Sequence, residues 1–152
     1  MQIIKDRGIV QDTWKHVEDG DPIPAQGDIT VSLARWLDDK ATLTAHADLI
    51  GVRLAPEDEA SALTGDLDKL ALVAVQFPKF TDGRGYTTAR LLRERMGYRG
   101  ELRAIGYVLR DQIFYLHRVG FNAFELAAGK SLTDALEGFG DFTVTYQGAN
   151  PP

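Results

Sequence analysis

Apolar positions along the chain alternate between continuous runs, which suit strands, and three- or four-residue spacings, which suit helices. The runs predict strands at 49–54, 70–76, 101–105, 122–126 and 142–146. The spacings predict helices at 31–37, 87–96, 108–118 and 131–136. Repeated βα units of this length predict an α/β fold with a parallel sheet and right-handed crossovers. The pattern leaves open whether the sheet is open or a partial, TIM-barrel-like one.

The first 28 residues follow a different pattern from the rest. Two short apolar runs, at 2–5 and 8–10, are separated by Asp6 and Arg7, which predicts an N-terminal β-hairpin arm. We therefore expect one domain, with a β arm and loop over 1–28, βα repeats over 29–146 and a flexible tail over 147–152. A partial barrel would leave sheet edges, which a homodimer could close.

Composition narrows the class of protein. The chain has 152 residues, of which 44% are hydrophobic and 26% charged, so it can bury a core. It has no cysteine, which excludes disulfides, thiolate catalysis and cysteine-ligated clusters. The three histidines, His16, His46 and His117, are scattered, and we expect no metal site. With no signal-peptide core and no apolar run of about 20 residues, we expect a soluble cytoplasmic protein without a membrane partner.

Charge is spread unevenly along the chain. The formal net charge is −5, which argues against general nucleic-acid binding. Residues 84–118, however, contain eight arginines and three acids, so this segment carries +5 and the remainder −10. Two interpretations stay open. The arginines pair with acids on the surface, or they form an anion site or a docking face for an acidic partner.

The loop after the 70–76 strand is the first candidate site. It is long and polar, and it leads into a helix N-terminus, where backbone N–H groups favour an anion. Glycines there could let the backbone approach a ligand, and cations could hold it. Asp82 is a candidate acid/base, or alternatively caps a tight turn. The candidate ligand-binding residues in this loop are Lys79, Gly83, Arg84, Gly85 and Tyr86.

The loop after the 101–105 strand is the second candidate, because parallel strands place their C-terminal loops at one end of the sheet. Arg110 and Gln112 are candidate ligand-binding residues, and Asp111 a candidate acid/base. Alternatively, Asp111 is simply favoured by the helix dipole. Neither loop contains a complete dinucleotide or P-loop motif, so the cofactor stays unknown.

Four segments of the chain carry a resemblance to a known family: 77–95 (FPKFTDGRGYTTARLLRER), 100–106 (GELRAIG), 109–112 (LRDQ) and 118–124 (RVGFNAF). They resemble an uncharacterised bacterial family whose members are described as oxidoreductases involved in sulfite reduction and are typically encoded beside assimilatory sulfite reductase. One departure from the family pattern is Tyr107, where we expect an acid.

The resemblance implies a role in sulfur assimilation and cysteine biosynthesis. Three hypotheses follow. The chain is an accessory protein that binds sulfite reductase, another sulfur-assimilation enzyme or a small anion through its arginines. It is a small enzyme in which aspartates move protons and arginines clamp an anionic substrate. Or it is a non-catalytic structural subunit. Because no cluster ligands or dinucleotide motif are present, electron transfer would need a bound flavin or a partner's cofactor.

Overall fold

The structure is a computed structural model that describes residues 1–79, 83–127, 131–137 and 139. Within these residues, eight strands form one sheet: β1 (Gln2–Lys5), β2 (Gly8–Gln11), β3 (Lys15–His16), β4 (Ile29–Ser32), β5 (Ile50–Leu54), β6 (Leu72–Phe77), β7 (Glu101–Gly106) and β8 (Ala123–Phe124). The helices are α1 (Leu33–Asp38), α2 (Lys40–Thr44), α3 (Arg84–Arg90), which continues as a π turn over Leu91–Arg95, and α4 (Ile113–Arg118). Residues 132–137 are also helical, and 3₁₀ turns cover Ala60–Leu63, Leu67–Lys69 and Arg110–Gln112.

The strands follow one another across the sheet in the order β2-β1-β8-β7-β6-β5-β4-β3. The six strands from β3 to β8 are parallel to one another, while β1 is antiparallel to both β2 and β8. The predicted α/β class and the N-terminal hairpin are therefore confirmed. Since the parallel strands advance in one direction without reversing, the sheet is built like part of a (β/α) barrel and not like a doubly wound sheet.

The connection between the two sheet edges shows how strongly the sheet curls. β2 and β3 lie at opposite edges, yet only residues 12–14 join them. Four steps from Gln11 to Lys15 reach at most about 14 Å, whereas the edges of a flat eight-stranded sheet lie about 34 Å apart. The sheet must therefore curl until its edges approach, which encloses its inner face.

The two faces of the curled sheet have different chemistry. On the outer face, strand residues such as Val73, Val75 and Leu102 share one apolar core with Trp36 of α1 and Leu92 of α3. On the inner face, the register aligns small and polar residues across neighbouring strands. These are Thr30 beside Gly51, and Arg53, Ala74, Arg103 and Ala123 in a row.

Local sequence explains where several helices begin and end. Ser32 caps α1 by accepting a hydrogen bond from Arg35 N at 3.1 Å. The predicted helix at 87–96 begins earlier, at Arg84, because Gly83 adopts a left-handed φ of +82° and turns the chain into it. Gly97 ends this helix with a φ of +72°. The predicted strand at 142–146 and tail at 147–152 lie outside the described residues.

Candidate functional site

The loop after β6 offers little enclosed space among its described residues. Lys79 is exposed, and Arg84 is exposed with its Nη1 3.5 Å from the Pro56 carbonyl oxygen. Asp82 lies outside the described residues. A cavity of about 10 Å³ lies between this loop and the end of β5, with Arg84 and Gly85 in its wall. That volume is enough for about one water molecule.

Gly85 and Tyr86 are explained by packing against Phe77, the last residue of β6. A Cβ at Gly85 would lie 2.4 Å from the Phe77 ring, so only glycine lets α3 approach this closely. The Tyr86 ring contacts Phe77 edge to face, with centroids 5.9 Å apart. Burial raises the pKa of Tyr86. These two residues therefore fix the start of α3 on the barrel.

The loop after β7 contacts a different part of the chain from the β6 loop. Arg110 Nε donates to the Asp134 carbonyl oxygen at 3.0 Å, which ties this loop to the helix of residues 132–137. Gln112 Oε1 accepts from Leu109 N at 3.2 Å and thereby caps the turn. The Asp111 side chain is 93% exposed. Arg110 thus reaches a different segment from Arg84, and the binding and catalytic roles predicted for both loops stay predictions.

Arg103 of the arginine-rich segment is an interior residue. Its side chain is 1% exposed and forms ion pairs with Asp12 at 3.0 Å, Glu101 at 2.8 Å and Glu125 at 2.9 Å. Lys5 adds a cation 3.1 Å from Glu101. A buried guanidinium needs such partners, because an unpaired buried charge is costly. This cluster fills the inner face of the curled sheet, and the N-terminal arm supplies Asp12.

A hydroxyl–imidazole–carboxylate chain extends from this cluster. His16 Nδ1 lies 2.6 Å from Thr30 Oγ1, and His16 Nε2 lies 2.7 Å from Glu125 Oε1. The order resembles that of a Ser-His-Asp triad. Thr30 is fully buried, however, and its Oγ1 already accepts a hydrogen bond from Arg53 at 2.7 Å. Because both ring nitrogens are engaged and a substrate has no access to the hydroxyl, the Thr30–His16–Glu125 arrangement serves to hold these side chains in place inside the barrel.

The charge balance of the cluster keeps Glu125 ionised. Burial alone raises the pKa of Glu125, but hydrogen bonds and charges from His16 and Arg103 outweigh burial and hold its pKa below the usual range. The cluster formed by Asp12, His16, Thr30, Arg53, Glu101, Arg103 and Glu125 is called the interior cluster below.

Arg93 is a second arginine with a structural role. Its Nε donates to the Gly120 carbonyl oxygen at 2.9 Å, and its Nη1 donates to the carbonyls of Tyr98 at 2.9 Å and Gly100 at 2.8 Å. Burial lowers the pKa of Arg93, and the nearby Arg99 lowers it further. Arg93 therefore holds the end of α3 against the turns that precede β7 and β8.

The arginines on the outer surface of α3 and α4 border a groove. One depression, of about 430 Å³, is lined by Tyr86, Arg90, Tyr115, Arg118 and Val119, and we call it the α3–α4 groove. A second depression, of about 260 Å³, adjoins it and shares Tyr86 and Arg90; its other lining residues are Thr87, Leu91, Glu94 and Arg95. The larger volume lies within the range of small-ligand sites.

Charge and exposure distinguish the α3–α4 groove from the interior cluster. Arg90 and Arg118 are both exposed, and no carboxylate among the described residues lines the groove. Arg90 Nε lies 4.0 Å from Glu94, a surface ion pair that neutralises little. The Arg118 guanidinium lies 5.8 Å from the centre of the Phe114 ring. The groove therefore presents two cations beside tyrosine rings.

Residues outside the arginine-rich segment were missed by sequence reasoning. Asp12, His16 and Glu125 are far apart in the chain and meet only because the sheet curls. One signal was available: Glu101 and Arg103 lie two positions apart in a strand, hence on the same face, with apolar Leu102 between them. Two opposite charges on one face of a central strand indicate an interior pair.

Two further features, a metal site and a membrane-spanning helix, find no support in the part of the chain that is described. Across those residues, no group of three or more acidic or histidine side chains is arranged so that it could hold a metal ion, and the carboxylates of the interior cluster pair with Arg103 instead. No helix in the same residues has the length and apolar character of a membrane span.

Fold and site together define a partial (β/α) barrel with a charged interior and an arginine- and tyrosine-lined outer groove. Residues 51–151 match the family described as bacterial protein of unknown function (DUF934), and the chain belongs to this family. The match confirms the resemblance to an uncharacterised bacterial family, while the link to sulfite reduction stays a prediction. No curated protein matches the chain. The match excludes residues 1–50 and hence Asp12 and His16 of the interior cluster.

Proposed function

We propose that the protein is an accessory protein of assimilatory sulfite reduction, which binds an acidic surface of sulfite reductase or of another sulfur-assimilation enzyme through the α3–α4 groove. The proposed pathway rests on the resemblance of residues 77–124 to a family encoded beside sulfite reductase. The proposed mode of binding rests on the residues that line the groove.

The observation that carries the proposal is the placement of Arg90 and Arg118 in one groove of about 430 Å³, whose described lining residues include no carboxylate. Arginine and tyrosine are the residue types that dominate binding energy at protein interfaces. By contrast, Arg93 and Arg103 are held by internal carbonyls and carboxylates. Only part of the +5 segment is therefore available to a partner, and that part faces outward.

The enzyme hypothesis has less support from the geometry. A general acid/base works best where water is excluded around the reacting groups. Asp111 is 93% exposed, and the cavity next to Arg84 holds about 10 Å³. Binding is therefore the function that we propose, and catalysis is not needed for it.

Affinity capture tests the binding directly. The tagged protein should retain sulfite reductase from the native lysate at low salt and release it as the ionic strength rises, because exposed charge pairs are screened. Arg118→Glu should abolish capture. Arg99→Glu is the matched control, since Arg99 is exposed but lines neither depression. Equal capture by the two variants would contradict the proposed interface.

Growth tests the pathway separately from the interface. Deletion of the gene should impair growth on sulfate or sulfite and leave growth on cysteine normal. The wild-type gene and the Arg99→Glu gene should restore growth, and the Arg118→Glu gene should not. Normal growth of the deletion strain on all three sulfur sources would remove the role in sulfite reduction.

A further inference from the structure

The two adjoining depressions on α3 and α4 differ in charge. In the part of the chain that the structure describes, the α3–α4 groove is lined by Arg90 and Arg118 without an acid, whereas the second depression contains Glu94 beside Arg95. A ligand that spans both would therefore place its most acidic part in the α3–α4 groove. Glu94 would repel a carboxylate that entered the second depression.

Size indicates what kind of anion the groove accommodates. At about 430 Å³ the groove has the volume of a site for a drug-sized ligand. A single sulfite, sulfate or phosphate would occupy a small part of it and leave the arginines largely in water, where their attraction is weak. An extended ligand could contact both arginines at once and displace that water.

The groove also offers apolar surface beside its charges. Val119 lies in the wall together with the rings of Tyr86 and Tyr115, and Tyr115 is 51% exposed. Leu91, which is 37% exposed, continues this surface into the second depression. Arginines that flank aromatic and aliphatic side chains match a ligand in which carboxylates flank a large apolar side chain.

We propose that the α3–α4 groove binds a peptide segment of a partner chain that carries two carboxylates on either side of a large apolar side chain. The carboxylates pair with Arg90 and Arg118, and the apolar side chain packs on Val119 between the two tyrosine rings. This inference rests on the proposed function, since it specifies the segment through which an acidic partner is held.

Titration with designed peptides tests the inference without the reductase. The probe is an amidated, acetylated ten-residue peptide with a glutamate on each side of a phenylalanine in an otherwise glycine- and serine-based chain. Its dissociation constant, measured by calorimetry at low salt, should rise by about tenfold or more in Arg118→Glu and in Arg90→Glu, as expected for loss of a close charge pair. Arg99→Glu should change it by less than about twofold, because a distant surface charge acts only weakly.

Matched peptides separate the charge from the apolar contact. Replacing both glutamates with glutamine, or the phenylalanine with alanine, should each weaken binding by about tenfold. Glu94→Gln should strengthen it modestly, since a repulsive carboxylate is removed. Equal binding of the glutamine peptide, equal binding by Arg118→Glu, or no binding of any peptide at millimolar concentration would overturn the inference.

Competition with inorganic anions and reductase capture complete the test. Sulfite, sulfate and phosphate should each displace the peptide no better than chloride at the same ionic strength. An anion that binds in an Arg118-dependent manner while the peptide does not would overturn the inference. If the reductase is captured in an Arg118-dependent manner but the peptide fails to bind, the inference is wrong and the proposed function stands.

Discussion

Arg103 and Arg118 belong to one arginine-rich segment and differ in nearly everything except residue type. Arg103, in β7, is 1% exposed and contacts three carboxylates. Arg118, the last residue of α4, is exposed at the rim of a groove that has no acid among its described lining residues. A strand turns its side chain into the curled sheet, whereas a helix on the outer layer turns it to the surface. Local charge density therefore does not measure how much positive charge a partner can reach.

The interior cluster and the α3–α4 groove should respond oppositely to substitution. Groups in the interior cluster are fixed by several partners and shielded from water, so their loss affects folding. Groups in the groove are exposed, so their loss affects binding and leaves folding intact. Each variant below separates the two regions, and the first has the largest expected effect.

Arg103→Met should destabilise the protein most. The substitution leaves Asp12, Glu101 and Glu125 buried without their shared cation, and breaking a buried pair in this way costs about 3–5 kcal/mol. Urea denaturation followed by circular dichroism measures the loss. Arg99→Met, an exposed control, should stay within about 0.5 kcal/mol of the wild type.

If Arg103→Met does not fold, Arg103→Lys gives the same information. It keeps the charge but loses the planar fork that reaches three carboxylates, so it should fold and still be less stable than the wild type. Wild-type stability of the lysine variant would show that the planar fork of Arg103 contributes little beyond its charge.

Arg93→Ala should lower the free energy of unfolding by somewhat less than Arg103→Met does. Arg93 donates to three backbone carbonyls, but its side chain is only half-buried, so water replaces part of what is lost. The expected loss is therefore about 1.5–3 kcal/mol in total, the contribution of one hydrogen bond to a charged group. Amide hydrogen exchange in the variant should be faster than in the wild type, and the increase should be larger around Gly100 and Gly120 than elsewhere. Uniform protection across the chain would contradict the clamp role.

Glu125→Gln should make the stability difference from the wild type depend on pH. The pKa of Glu125 in the folded protein lies below its usual value of 4.5, so its carboxylate stabilises the fold above that value, and this contribution is lost as the pH falls through the lowered pKa. The difference between wild type and variant should be about 1–3 kcal/mol at pH 7 and should shrink towards pH 3.

The control for this prediction is Glu57→Gln, which removes an exposed carboxylate. Its stability difference from the wild type should be small and nearly independent of pH. A pH-independent difference for Glu125→Gln as well would show that the contacts of the Glu125 carboxylate with His16 and Arg103 do not stabilise the fold.

Much of the fold follows from the sequence, because periodicity reports which faces of an element are buried. The apolar run at 70–76 predicted a strand covered on both sides, and β6 buries Val73 and Val75 outward and Leu72 and Ala74 inward. Helix ends are also local features, since Ser32 caps α1, and Gly97 and Gly120 follow α3 and α4 with a positive φ.

The sites were harder to predict, because they depend on contacts between distant residues. The curl of the sheet brings Asp12 of the arm to Arg103 and His16 to Glu125, and no local pattern encodes that approach. The groove likewise combines Tyr86 and Arg90 of α3 with Tyr115 and Arg118 of α4, which only tertiary packing brings together. The arginine-rich segment therefore indicated the right region without distinguishing Arg103 from Arg118.

The smallest expected effect on stability belongs to the groove. Arg90→Ala and Arg118→Ala should each change the free energy of unfolding by less than about 0.5 kcal/mol, because exposed ion pairs and surface substitutions contribute little. Denaturation curves that coincide with that of the wild type would agree with this prediction. A loss of several kcal/mol from either variant would show that the groove arginines support the fold.

One measurement tests the central claim most directly, and it uses the double variant with Arg90→Ala and Arg118→Ala. The free energy of unfolding and the capture of sulfite reductase are measured on the same preparation, beside Arg99→Ala as the control. We predict wild-type stability for both proteins, retained capture by the control, and lost capture by the double variant. Full capture by a stably folded double variant would contradict the account.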